Sequence, residues 1–339
     1  MFITDAHLDL AYNALRGRDV TLPADQQQPD ADGIPTVGLP DLKRGGVELL
    51  CATIFCQPAG DGLPGFSTSG YRTSEEAREQ ALAQFNWYQR QFEAKRLQLV
   101  RKQADLARLR MGQLIGPPAT ILLMEGADAL RNPQDIPEWF DKGLRIVGLS
   151  WRASRYAGGT GHPGPLTPEG VELVRALDAA NMIHDASHLA EESFWQLNEI
   201  TNRPIIASHS NCRTLVPGDR HLSDDMARAI YMRNGIIGIN FYDQFLLTPE
   251  QSGKRRATLR DVVSHINHYC NLFGDARHVG LGTDMDGGLG REQIPIEIRT
   301  SADLSRVADT LSAAGYGDAD VHRIMGDNWL TFFGKNLPI

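Results

Sequence analysis

The chain of 339 residues has only four cysteines, Cys51, Cys56, Cys212 and Cys270, and none stands in a CxxC pair. That excludes a disulfide scaffold and a thiolate zinc finger, and points to reduced thiols packed in a core. No window approaches 18 uncharged apolar residues, so no membrane-spanning helix is expected. Neither GxGxxG nor Walker A appears, which removes the usual nucleotide-binding folds. Positive charge is also scarce: 34 Lys plus Arg against 42 Asp plus Glu leave a net charge of −8. An acidic chain repels phosphate backbones, and no basic run exceeds Lys254-Arg255-Arg256, so nucleic acid is excluded as a partner. The opening Met1–His7 lacks a basic stretch followed by a long apolar one, and Asn336–Ile339 lacks a lipid-anchor signal. The expectation is a cytoplasmic protein without leader or anchor.

What the sequence has is a series of short apolar runs that end in reactive side chains. They cover residues 2–7, 47–55, 120–125, 145–151, 182–188, 204–209, 235–240 and 278–284. Such runs, bounded by turn residues, suit buried strands of a parallel sheet. Helical patterns lie between most of them. One starts at Ser74 and runs to about Arg110 without a proline. A second opens at Thr167-Pro168, a third at Asp224-Asp225, and a fourth covers Thr258 to Phe273. Eight strand-like runs alternating with helices predict a (β/α)₈ TIM barrel, with an open doubly wound sheet as the runner-up. Residues 23–40 and 57–73 read as surface loop insertions. The strand count closes only if residues 1–339 form a single barrel domain.

In a barrel, chemistry collects where the strands end. His7, Glu125, His188, His209 and Asp284 stand there, with Asp9 two residues after His7. Positions i and i+2 of an extended segment point the same way, so His7 and Asp9 can both face the barrel mouth. Imidazole and carboxylate together suit zinc, with manganese and cobalt as alternatives. A carboxylate at Glu125 has two oxygens and can bridge two metals about 4 Å apart that share a hydroxide. His188 and His209 complete the second site, and Asp284 shuttles the proton to the leaving group. Singly, each residue has a plainer use. Asp9 can cap the following helix, and Asp284 and Asp286 can shape the glycine-rich turn after them. Together on so few strand ends, such charges are costly to bury without an ion. His265 and His268, three apart on a helix, read as surface residues.

The segments "ITDAHLDL", "MEGADAL", "DASHLAEESFW", "IIASHSNCRTL", "DRHLSDDMARAI" and "VGLGTDMDGG" carry a resemblance. In this order, over nearly the whole chain, they resemble the zinc-dependent dipeptidases of the membrane (renal) dipeptidase family, in the amidohydrolase superfamily. The resemblance implies a TIM barrel and two zinc ions per chain. It matches His7 and Asp9 to the first zinc, Glu125 to the bridge, His188 and His209 to the second zinc, and Asp284 to the acid/base. It implies that Arg220 grips the substrate's terminal carboxylate. Tyr242 falls where the family has a substrate-contacting tyrosine, although packing explains it equally well. It further implies a dipeptide substrate, tolerance of a C-terminal D-residue, and a homodimer. Two positions depart from the pattern. Trp151, in "GLSWRASRYAGGTG", stands where the family has a substrate-binding histidine, and His221 stands where it has asparagine. An indole donates one hydrogen bond and carries no charge. Arg152 and His162 are the nearby groups able to supply one. Trp151 therefore keeps a second reading open: a deaminase, lactonase or N-acyl amino acid hydrolase with the same metals. A third reading is a metal-dependent scaffold without activity; Asp284 argues against it, since binding needs no proton shuttle.

Overall fold

The computed structural model describes residues 1–60, 70–114 and 116–339. Eight parallel strands form the barrel wall. They are β1 (Ile3–Leu8), β2 (Val47–Phe55), β3 (Ala119–Glu125), β4 (Leu144–Gly148), β5 (Ile183–Asp185), β6 (Ile205–Ile206), β7 (Ile237–Ile239) and β8 (Val279–Leu281). Each pairs with its neighbour in sequence, and β8 pairs with β1. The circle closes between β6 and β7, where Ala207 and Ile237 form a parallel bridge. The architecture is thus the (β/α)₈ barrel, and every strand falls inside its expected run or within one residue of it.

Alternation along the strands decides which side chains reach the interior. On β2, Leu49 and Cys51 point inward, while Leu50, Ala52 and Ile54 pack against the outer helices. On β3 the inward residues are Ile121 and Leu123. The same parity carries Glu125 to the interior at the strand's upper end. The lower layers are apolar and are sealed by the helix Asn328–Asn336, whose Trp329 and Phe333 join that cluster. Trp329 Nε1 donates to the Leu281 carbonyl at 3.1 Å. No described helix is long and apolar enough to cross a membrane.

Several local expectations are corrected. The helix from Ser74 ends at Glu93, not near Arg110. Lys95 takes a left-handed conformation (φ 54°), after which Gln98 and Leu99 pair in parallel with Ala119 and Thr120. Sheet pairing there outweighs a proline-free helical pattern. The start of this helix at Ser74 holds, with Thr73 as the cap in a capping box with Glu76. His265 is not a surface residue: it is buried, and its Nδ1 accepts the Cys212 backbone N–H at 3.1 Å. His268 is partly buried and pairs with Asp224 at 2.7 Å. All four cysteines are unpaired and buried, as expected.

The stretch 23–40 is irregular but not a free surface loop. Its end is fastened by Asp286, whose carboxylate accepts from Thr36 N, Thr36 Oγ1 and Val37 N at 2.7–3.1 Å. Arg18, itself buried, completes the knot at 3.2 Å from Asp286 and binds Asp30 with two further hydrogen bonds. Of the other insertion, 57–73, residues 61–69 lie outside the described residues. Its ends meet in a bridge between Pro58 and Tyr71. Replacing Asp286 by alanine strips three donors and Arg18 of a buried acceptor. The expected loss is about 3–5 kcal/mol, read as a shift of the urea unfolding midpoint. A loss below about 1 kcal/mol would show that water replaces the carboxylate.

Candidate metal centre

The strand ends bring six of the expected residues into one cluster. His7 Nε2 lies 3.4 Å from one Glu125 oxygen and 4.0 Å from Asp9. His188 Nε2 and His209 Nε2 lie 3.2 and 3.3 Å from the other Glu125 oxygen. Asp284 joins from β8, its donor atom within 4.8 Å of those of His7 and His209. Two of the side chains leave their strands through left-handed backbone, His188 at φ 65° and Asp284 at φ 58°. Such angles are uncommon outside glycine, and Asp and His are among the residues that tolerate them. The turn also needs Gly287: a Cβ there would lie 2.0 Å from an Asp284 oxygen.

Hydrogen-bond counting shows what the imidazoles present to the cluster. Ser208 Oγ donates its one proton to Asp185 at 2.5 Å. Its lone pairs face His7 Nδ1 at 3.0 Å and His209 Nδ1 at 2.8 Å, so both rings must donate from Nδ1. Thr160 Oγ1 makes the same kind of contact with His188 Nδ1 at 3.0 Å while donating to the His188 carbonyl. In the neutral rings the Nε2 atoms are then left as lone pairs facing the cluster. Those of His188 and His209 stand 3.1 Å apart, and that of His7 is buried without a hydrogen-bond partner. Lone pairs crowded around a carboxylate repel unless a cation lies among them. A ring nitrogen fixed by a polar partner, with the other free, is how imidazole is presented to a metal. The donor set fits divalent metal ions.

The electrostatics agree. Burial works to keep His7 neutral, yet Glu125, Asp9 and Asp284 outweigh it and pull the ring up to about 10. Burial disfavours charge on Glu125, but the three histidines hold it well below the usual carboxylate range. Burial, aided by the Arg220 charge, lowers His188 to about 4. Burial raises Asp284 to about 8, with His7 and Arg220 pulling the other way. The spot attracts positive charge strongly: at His7 a proton competes with a metal ion for it, while His188 and His209 stay neutral with Nε2 open to a ligand.

Asp9 does not cap the helix Leu10–Leu15; its side chain instead accepts from Thr53 Oγ1. Trp151 and Tyr242 line a cavity of about 290 Å³ above the cluster, together with Glu125, His188 and Asp284. Arg220 does not line it. It is buried, donates to the His209 carbonyl and Ser210 Oγ, and lies 5.1 Å over the Phe245 ring, with Nε unpartnered. Neither Arg152 nor His162 lines the cavity. His221 is buried, its ring edge-on to Phe245.

Four supporting residues escape the sequence reading: Ser208, Thr53, Asn240 and Asn13. Asn240 holds an Asp284 oxygen at 2.9 Å. Asn13 Nδ2 ties the backbone carbonyls of Asp9 and Asp286 together, at 3.0 and 2.8 Å. Asn240 ends the seventh run and Ser208 precedes His209, so strand-end position is the signal that flags these two. If Ser208 sets the tautomers, Ser208→Ala weakens zinc binding about 10–100-fold, measured by calorimetric titration of metal-stripped protein. Binding also weakens from pH 7 to pH 5, because ligands bind metal deprotonated. Unchanged affinity in the variant would remove the hydroxyl from this role.

Comparison with known proteins comes from three directions. The family model for membrane dipeptidases (peptidase family M19) matches residues 1–336. An uncharacterised protein of the pqqA 5' region in Klebsiella pneumoniae is 33% identical over 249 residues, which cover 70% of this chain and 88% of that one. The dipeptidase tcpJ of Claviceps purpurea is 28% identical over 316 residues, 90% of this chain and 70% of that one. A metallopeptidase from Rhodobacter sphaeroides, solved with a phosphinate mimic of L-Ala-D-Ala, superposes with a TM-score of 0.82 at 24% identity. The match covers 99% of each chain. With metal-type donors gathered at the barrel mouth and the family pattern running from end to end, this chain belongs to the membrane dipeptidase family, peptidase family M19, and is a metal-dependent peptidase.

Proposed function

We propose that the barrel mouth hydrolyses dipeptides with a pair of zinc ions held by His7, Asp9, Glu125, His188 and His209. The observation that carries this reading is the gathering of three histidine Nε2 atoms around Glu125, 3.1–3.4 Å from one another or from its oxygens. His7 and Asp9 would hold one ion and His188 and His209 the other, with Glu125 available to both. Imidazole with carboxylate favours zinc; manganese and cobalt accept the same donors. When bound, such a pair polarises the scissile carbonyl and makes a water acidic enough to attack at neutral pH.

The chain's own side chains supply the rest. Asp284, fixed by Asn240 beside His7 and His209, takes a proton from the attacking water and passes it to the leaving amine. Arg220 keeps an unpartnered Nε–H for the terminal carboxylate; because its two other hydrogen bonds hold the guanidinium behind Phe245, the carboxylate reaches it only when the Phe245 ring moves aside. Tyr242 borders the same end of the cavity. Recognition through a backbone carboxylate leaves the configuration of the second residue unread, so a D-residue is accepted there. The phosphinate mimic of L-Ala-D-Ala bound by the Rhodobacter protein supports testing both series. A second reading, a different amide or lactone hydrolase, is favoured by one observation: Trp151 reaches the cavity with an indole in place of an imidazole.

Zinc-reconstituted protein is expected to release amino acids from L,L and L,D dipeptides, and a metal-stripped control to release none. Asp284→Asn lowers kcat about 10²–10⁴-fold with metal content retained. Arg220→Met raises KM more than it lowers kcat. No release by protein with two metals per chain would favour the second reading, and wild-type turnover in Asp284→Asn would remove the proton shuttle.

A further inference from the structure

The cavity above the metal centre carries two separate groups of aromatic rings. Tyr242 packs edge-on to Phe245 with centroids 4.9 Å apart, and Arg220 lies behind Phe245. The other group is a chain of three rings. Tyr12 meets Phe55 edge-on at 5.3 Å, and Phe55 meets Trp151 edge-on at 5.2 Å. Trp151 in turn lies 5.9 Å from the His188 ring. All three rings of this chain line the cavity.

We infer that Tyr12, Phe55 and Trp151 form the binding surface for the side chain of the substrate's first residue, and that this surface selects a large apolar or aromatic side chain. The inference rests on the dipeptidase reading above. Arg220 belongs to the first group of rings, so a terminal carboxylate bound to it puts the second residue beside Tyr242 and Phe245. The scissile bond then lies over Glu125 and His188. The first residue continues past His188 onto Trp151, and its side chain meets the three rings. Edges and faces of aromatic rings offer contact area with few polar demands.

Charge is already settled on this wall. Arg16, at its outer end, donates to Asp32 at 2.6 Å and to the Tyr12 hydroxyl at 2.8 Å, and lies 4.8 Å over the Tyr12 ring. Tyr12 donates onward to Gln57 at 2.8 Å. Cation and anion satisfy each other, so an acidic or a basic substrate side chain must compete with an existing partner. The wall is also rigid: the Gln84 side chain binds both the N–H and the carbonyl of Phe55. Pre-formed apolar surface favours ligands that fill it, and a glycine in first position leaves it wet.

The test uses the zinc-loaded wild-type enzyme and dipeptides with a constant second alanine and Gly, Ala, Leu, Phe, Asp or Lys in first position. The expected kcat/KM for Phe and Leu exceeds that for Gly, Asp and Lys by about tenfold or more. Phe55→Leu and Trp151→Ala each lower the Phe-to-Gly ratio of kcat/KM by about tenfold. Because altered wall residues can disturb folding, a measurement on the wild type stands beside them. The phosphinate analogue of Phe-Ala is expected to inhibit about tenfold more tightly than that of Gly-Ala. Equal inhibition, a flat first-position profile, or a preference for Asp or Lys overturns the assignment while leaving the dipeptidase reading intact. No hydrolysis of any dipeptide overturns the dipeptidase reading, and this inference with it.

Discussion

A serine hydroxyl has one proton to give, and Ser208 gives it to Asp185. From that single bond the orientation of two rings follows. His7 and His209, from strands far apart on the barrel wall, must both spend their Nδ1 protons on the same oxygen. Asp185 is fixed in turn by the backbone N–H groups of Ser187 and Ser208 at 3.0 and 2.9 Å. The interior therefore changes character within one layer. Below it, Ala6, Ile121, Leu123 and Ile183 fill the barrel with hydrocarbon. Above it stand His7, Glu125, Asp185, Ser208 and His209. An apolar floor makes the charges above it expensive to expose unpaired, and so sharpens their demand for a cation.

Much of this was legible in the chain. Strand alternation with a reactive residue at each end marks the barrel and nearly all of the cluster, because both depend on local periodicity. What stayed hidden depends on partners distant in sequence. Thr53 on Asp9, Asn240 on Asp284 and Asp286 on Thr36 are contacts made by folding, and only the place of Asn240 at a strand end hints at one of them. Arg220 is a partial case: its motif points to a substrate role, but only the structure shows that Phe245 stands between it and the cavity. The helix expected to run to Arg110 fails for a related reason. No proline or glycine interrupts it, yet Gln98 and Leu99 gain more by pairing beside β3 than by continuing the helix. His265 was misjudged because helical spacing does not say which face of the helix Leu259–Phe273 is covered; its Nδ1 supports the turn at Cys212.

The two ends of the barrel divide the work. The closing helix, through Trp329 and Phe333, seals the lower end with aromatic rings, and its Asn328 side chain binds the carbonyls of Ala276 and Val279. The upper end carries the strained turns at His188 and Asp284. Strain of about 1–3 kcal/mol per residue persists only where the surroundings enforce it. At Asp284 the knot of Asp286, Arg18 and Thr36 lies two residues on, and at His188 the Thr160 hydroxyl holds the ring and the carbonyl. Stretch 23–40 thus braces the turn that carries Asp284, and its Asp32 reaches the edge of the cavity.

The closure of the barrel bears on how the protein acquires its metal. Asp5 receives both the amide and the hydroxyl of Thr283, a contact spanning 278 residues. That contact joins the first strand to the last, and the donors on either side of it belong to the same cluster. Contacts of such separation form late, after the cost of ordering the intervening chain has been met. A nascent chain lacking β8 holds His7 and Asp9 but no enclosure to keep an ion in. The donor atoms of His7 and Asp284 therefore share one cluster only in the closed barrel.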